Sequence, residues 1–378
     1  MGAPAMNVPR EASVVLALAS LPDIGPARLN ALLDEGRPHE AWQVVLEGRA
    51  HHGPASCVMG DDPAALAAKW ARAASAIDAD QLWRRHQEAG VGVAWRGDDA
   101  FPETLRLDPH GPGLIVWRGT LAALDGPRVA IVGTRDCTRS GRDFARRLAV
   151  ELTDAGVRIV SGLALGIDAA AHSGALSSRH APPVAVVGSG VDVVYPRRNA
   201  ELWAEVSRVG VLLSEHPLGT APVGWHFLAR NRIIATLADV VVVVESHERG
   251  GALQTATEAA RRGVPVLAVP GSVRSSASKG TNALLRDAQV CCDTADVLTM
   301  LGLSSRRTDR RETRPMPDSG DAVVLEALGW EPTGLEALLV RTGRTIGDLA
   351  LALDRLEAAG WIARRGGWAE RIDAQARP

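Results

Sequence analysis

The chain runs to 378 residues, of which 46% are hydrophobic, 23% charged and 4% aromatic, with a formal net charge of −2. That length suggests two or three domains, with apolar side chains enough for a large core. The charge excludes a protein coated in positive field for duplex nucleic acid, so any polyanion site has to be a local concentration of cations. No run of about 18 apolar residues and no charged-then-greasy leader is present, which predicts a cytoplasmic chain without a membrane partner. Cys57, Cys137, Cys291 and Cys292 lack metal-ligand spacing and read as reduced thiols, and His51–His52 reads as a solvated loop. Among the basic residues only Lys69 and Lys279 are lysine, and guanidinium forks grip phosphate better than ammonium does.

Residues 1–92 read as a helical domain of helix-hairpin-helix or SAM-like kind. In "SVVLALASLPDIGPARLNALLDEG" two helical segments meet at "LPDIGP", a turn whose usual form holds a phosphate on backbone amides. Asp23 stands there in place of glycine and would repel phosphate, so a packed helical pair is the preferred reading. Trp70 and Trp83 belong to a further helical stretch and are expected in its core. Residues 93–127 read as a loop-rich connector.

From 128 to 302 short apolar runs ("VAIVG", "VRIVSG", "VAVVGSG", "GVLLSE", "VVVVVES", "VPVLAVPG") alternate with helix-period stretches. Continuous apolar strands separated by helices predict a Rossmann-like, doubly wound parallel sheet covered on both faces. Residues 303–320 read as an arginine- and proline-containing linker, and 321–378 as three helices and a hairpin turning at Gly366–Gly367, a winged-helix-like domain. Seven arginines face nine acids in that tail, a balance that does not support DNA reading and fits protein contacts at least as well.

In an open parallel sheet ligands bind beyond the carboxyl ends of the strands, where chain order reverses. The first strand is followed by Gly133, Thr134 and Arg135, with a helix whose first amides should add positive potential. Neither GxGxxG nor GxxxxGK[ST] occurs, and the second strand ends in Ser161 and Gly162 rather than the acid a ribose needs, so no cofactor is expected. "SGLALGIDAAAH" then places Gly166 before a helix, with Asp168 and His172 spaced as an acid–base pair or, preferably, with Asp168 capping that helix. Gly188, Ser189 and Gly190 open the next turn, followed by Asp192, Tyr195, Pro196 and Asn199; Arg197 and Arg198 read as solvent-facing. Arg230, Asn231 and Arg232 enter an apolar helix; the two arginines point to different faces, so one is structural. Gly250, Gly251 and Thr255 form another glycine turn, and Lys279 closes the series. No nucleophile–base–orienter set and no metal-ligand spacing emerges: the loops offer anion donors without visible chemistry.

Together "VAIVGTR", "VSGLALGIDAAAH", "AVVGSGVDVVYPRRN", "LLSEHPLG", "FLARNRIIATLADVVVVVES" and "VPVLAVPGS…KGTNALLRDA" resemble the DNA-processing protein A (DprA, or Smf) family. The resemblance implies a non-enzymatic protein that binds and protects single-stranded DNA, dimerises, and helps load RecA recombinase during natural transformation. By that likeness Gly133, Thr134, Arg135, Ser161, Gly162, Gly166, Gly188, Ser189, Gly190, Arg230, Asn231, Arg232, Gly250, Gly251, Thr255 and Lys279 contact DNA. Asp168, Asp192, Tyr195, Pro196, Asn199 and Glu215 match motif positions with structural roles. Gly250 and Ala252 stand where the family has serines, which removes two hydroxyl donors. With few loop aromatics (Tyr195, Trp225, Phe227), binding is expected to rest on backbone phosphates and to be strongly salt-dependent. The alternative is a Rossmann-like phosphoribohydrolase: "RGGALQTATE" resembles its PGGxGTxxE signature through Gly250, Gly251, Thr255 and Glu258, one residue too long and with Arg249 for proline.

Overall fold

The computed structural model describes residues 11–34, 36–178, 180–303 and 314–372. Residues 304–313 of the expected linker, and Asp373 and Arg377 of the tail, lie outside the described residues. The chain divides into two compact units, Met1–Ser305 and Arg306–Pro378.

Among its described residues the first unit opens with five α-helices: α1 (Glu11–Ala19), α2 (Pro26–Asp34), α3 (Pro38–Leu46), α4 (Pro63–Ala74) and α5 (Ala79–Glu88). Trp70 is wholly buried among them, and its Nε1 donates to the Pro22 carbonyl at 2.9 Å. At the α1–α2 turn Asp23 adopts φ 57°, the left-handed conformation that a glycine would take without cost. Its carboxylate accepts from Lys69 Nζ at 2.6 Å.

Nine strands follow among the described residues: β1 (Gly92–Trp95), β2 (Leu114–Gly119), β3 (Arg128–Val132), β4 (Arg158–Ser161), β5 (Val184–Val186), β6 (Val211–Ser214), β7 (Val240–Val243), β8 (Val266–Ala268) and β9 (Gln289–Val290). They form one sheet in the order β1-β2-β6-β5-β4-β3-β7-β8-β9. Every pair from β6 across to β9 is parallel, and chain order reverses between β3 and β7. Between strands lie α6 (Glu103–Arg106), α7 (Arg139–Asp154), α8 (Ile167–Ser177), α9 (Ala200–Val209), α10 (Gly224–Leu237), α11 (Gly251–Arg261) and α12 (Lys279–Leu284), and α13 (Thr294–Met300) follows β9. Successive strand residues point to opposite faces, and here both faces are covered. Val129, Ile131, Val240 and Val242 pack against α7 and α8, while Ala130, Val132, Val241 and Val243 pack against α10 and α11. Each of the six apolar runs read as a strand is one.

The connector reading of 93–127 needs correction. β1 and β2 extend the sheet as an antiparallel edge, β2 pairing antiparallel with β6, and Leu114, Ile115 and Val116 are fully buried. The run "LIVW" is short and framed by Gly and Pro, so its strand signal is masked by turn residues.

The second unit contains α14 (Ser319–Leu328), β10 (Thr333–Gly334), α15 (Leu335–Thr342), α16 (Ile346–Ala358), β11 (Ile362–Arg365) and β12 (Trp368–Arg371). Its strands order as β10-β12-β11, the winged-helix arrangement, with Gly366 and Gly367 both at positive φ in the hairpin turn. Leu325, Leu338, Leu353 and Trp361 fill its core. Among the described residues no helix is long and apolar enough to cross a membrane.

Candidate functional site

The loops after β3, β4 and β7 and the first turns of α10 and α11 converge where strand order reverses. They enclose a cleft of about 410 Å³ whose walls include Thr134, Arg135, Ala164, Phe227, Arg230, Asn231, Gly250, Gly251 and Thr255. That is large enough for a nucleotide-sized ligand. Beside it lies a recess of about 50 Å³ between Arg135, Gly162, Tyr195, Pro196, Phe227 and Arg230. It has room for little more than one or two water molecules, and so for oxyanion oxygens rather than a base.

Arg230 projects from α10 into the floor and is only 4% exposed. Its Nη1 donates to the Val186 carbonyl at 3.0 Å. Burial pushes this guanidinium down to about 10, partly opposed by the charge of Asp168. Burial conversely raises the Asp168 carboxyl, with the nearby Arg230 charge holding it back. Gly162 makes the arrangement possible: a Cβ there would lie 1.6 Å from Arg230 Nη1. The Gly162 amide donates to Asp168 Oδ2 at 3.1 Å, so this carboxylate holds the loop while its charge acts on the nearby guanidinium.

Arg135 is the exposed counterpart. Its guanidinium stands 5.6 Å from the Phe227 ring centroid, and Phe227 in turn lies 5.1 Å from Tyr195. Among the described residues no carboxylate lies within ion-pair distance of Arg135. The site therefore presents one buried and one free guanidinium beside two aromatic rings, an arrangement suited to holding anions and stacking flat groups. It contains no activated nucleophile, and among the described residues no cluster of three metal-ligating side chains.

Several sequence expectations change. The amino end of α7 does not face the cleft as an open anion seat: Glu245 sits over it, accepting from the Thr138 amide at 2.8 Å and the Thr138 hydroxyl at 2.5 Å. Ser161 and Ser189 turn inward, their hydroxyls donating to the carbonyls of Ile131 and Val193 at 2.7 Å and 2.9 Å. Arg232 is the structural member of its pair, bonded through both Nη atoms to Glu215 at 3.1 Å and 2.6 Å. Gly133 and Gly166 are small because the loops crowd one another: added Cβ atoms would meet Ile167 Cγ1 at 2.5 Å and the Thr134 carbonyl oxygen at 2.4 Å. Gly188 and Gly190 likewise lie against Phe227 and against Pro217 and Gly219. Lys279 is exposed at the start of α12 and does not line the cleft.

Asn231 does line it, its Nδ2 donating to the Gly251 carbonyl at 3.3 Å. Asn199 clamps the turn after β4 through the Leu163 and Ala164 carbonyls, and Asp192 accepts from the Gly219 amide at 2.8 Å. Tyr195 and Pro196, expected to be scaffold, line the recess instead. Asp168 holds the preceding loop rather than capping its own helix. His172 is wholly buried, burial pushing its imidazole down to about 4, and no hydrogen bond joins it to Asp168 among the described residues. Glu258, the acid–base group of the phosphoribohydrolase alternative, is paired with Arg261 and Arg262 and does not line the cleft. The Phe227–Tyr195–Arg135 cluster was not legible in sequence because its members are 32 to 92 positions apart in the chain.

A family model described as DNA recombination-mediator protein A matches residues 92–302, and one described as the DprA winged helix domain matches 308–367. Protein Smf of Escherichia coli is 34% identical over 272 residues, covering 70% of this chain and 72% of that protein. DNA processing protein DprA of Streptococcus pneumoniae is 39% identical over 202 residues, covering 53% and 71%. The X-ray structure of the Streptococcus pneumoniae DNA processing protein A superposes with a TM-score of 0.64 at 30% identity, covering 76% of this chain and 95% of that one. A structure of DNA processing protein A from Helicobacter pylori, reported for its single-stranded DNA binding mode, gives 0.51 at 29% identity, covering 56% and 95%.

Proposed function

The chain belongs to the DNA recombination-mediator protein A family, and from that premise we propose that it binds single-stranded DNA in the cleft where strand order reverses. Arg135 meets a backbone phosphate, Arg230 fixes the positive floor, and the rings of Phe227 and Tyr195 give bases a surface to stack on. The strand is held and protected without bond cleavage, in the cytoplasm, and a dimer of the chain hands it to RecA recombinase. One observation carries this reading: two guanidiniums, Arg135 from the loop after β3 and Arg230 from α10, line the same cleft and recess, and among the described residues Arg135 has no carboxylate partner.

The aromatic pair changes the expected balance of forces. Phosphate contacts make affinity fall with salt, whereas base stacking survives it. The experiment is an anisotropy titration with single- and double-stranded oligonucleotides at several salt concentrations. Preference for the single strand, with log affinity falling linearly against log salt, is the expected result. Affinity indifferent to salt would overturn the phosphate grip. Release of free base from nucleoside monophosphates would overturn the non-enzymatic reading.

A further inference from the structure

Trp225 lies outside the cleft yet within the same helical turn as Phe227. At about 100° per residue, two positions on a helix point to nearly opposite sides. Phe227 accordingly faces the cleft, while Trp225, 46% exposed, faces a separate groove of about 320 Å³. The other wall of that groove is the α1–α2 hairpin, through Gly25, Pro26, Ala27 and Arg28. We propose that this groove is a second subsite for the same single strand, taking a nucleotide that has passed over the tip of α10. The proposal rests on the single-strand reading of the cleft and extends its track to the helical region.

Continuity, an exposed ring and charge each support it. A Cβ built on Gly224, the first residue of α10, would meet nothing within 4 Å, so no neighbouring group crowds that point of the tip. Trp225 offers a broad indole face to solvent, and stacking on such a face is indifferent to base identity, as a sequence-independent strand binder requires. Arg28 donates to the carbonyls of Asp23 and Val58 at 2.7 Å and 2.9 Å, contacts that orient its guanidinium without neutralising it. The Asp23 carboxylate, the objection that the sequence raised against phosphate at this turn, accepts from Lys69 Nζ at 2.6 Å, and that partner holds its carboxyl below the usual range. The groove lining therefore holds one cation, Arg28, and one carboxylate that already has Lys69 as its partner.

The test uses the full chain with Trp225→Leu and, separately, Ala27→Glu, which places a negative charge on an exposed groove position. Each is titrated with oligothymidylates of about six and about twenty nucleotides, the short one sized for a single subsite. Both variants should lose about fivefold or more on the longer strand, the lower end of what one base–aromatic stack contributes, and stay within about twofold of the parent on the shorter. Arg135→Ala should weaken both lengths. Parent-like binding of the longer strand by both groove variants, with Arg135→Ala impaired, overturns the subsite and leaves the cleft standing. Unimpaired binding by Arg135→Ala instead overturns the cleft reading itself. Equal loss on both lengths in Trp225→Leu also overturns the subsite. If the shorter strand binds the parent too weakly to measure, undiminished tryptophan quenching by the longer strand in Trp225→Leu does so.

Discussion

Replacing Arg135 by alanine isolates the free cation of the cleft. The side chain is exposed and lies over Phe227 with no ion-pair partner among the described residues, so its loss should change folding stability by no more than about 0.5 kcal/mol. A hydrogen bond from a charged donor contributes about 1.5–3 kcal/mol, which is roughly ten- to a hundredfold in Kd. Each phosphate neutralised on a single strand adds about 0.7 to the slope of log affinity against log salt. Arg135→Ala should therefore weaken binding of a labelled oligonucleotide by that factor and make the slope shallower by about 0.7. Fluorescence anisotropy at four or more salt concentrations reads both quantities, and a thermal melt checks the fold. A variant that melts like the parent and keeps both its affinity and its salt slope would refute the phosphate contact.

Arg230→Ala should behave differently, because it leaves the buried Val186 carbonyl without its donor and removes the positive charge near Asp168; a loss of about 1–3 kcal/mol in urea unfolding is expected, and an unchanged midpoint would contradict that support. Arg232→Ala should also destabilise, by orphaning Glu215, yet leave the salt slope of DNA binding untouched. Gly162→Ala drives a methyl into the Arg230 guanidinium and should weaken single-strand binding, whereas parent-like affinity would show that Arg230 has no part in the grip. Burial depresses His172 and His216 from 6.5 to about 4, so the unfolded chain binds protons in that window before the folded one does. Stability should be full above about pH 6.5 and fall on acidification by about 1.4 kcal/mol per pH unit for each histidine. A flat urea midpoint between pH 7 and 5.5 would contradict that.

The alternation of valine-rich runs with helical stretches was enough to read the parallel sheet, because a strand buried on both faces needs continuous apolar residues. The antiparallel edge escaped, since "LIVW" is brief and lies among glycines and prolines that signal turns. Within the site, glycine positions were legible but their purpose was not: Gly162 seats a guanidinium and Gly133 admits Ile167, and both facts depend on segments far apart in sequence. Which of Arg230 and Arg232 faces the cleft follows from the place of Glu215 on β6's exit loop. The part played by Ser161 and Ser189 likewise follows from carbonyls on neighbouring strands and turns.

Glu245 occupies the start of α7, where a small anion would otherwise find amide donors. A free nucleotide gains much of its hold on folds of this kind from one concentrated seat at a helix start, and here the protein's own side chain fills that place. On the proposed single-strand reading, the contacts left to a ligand, the start of α11 at Gly250–Gly251 among them, would each be modest and would sum along a polymer.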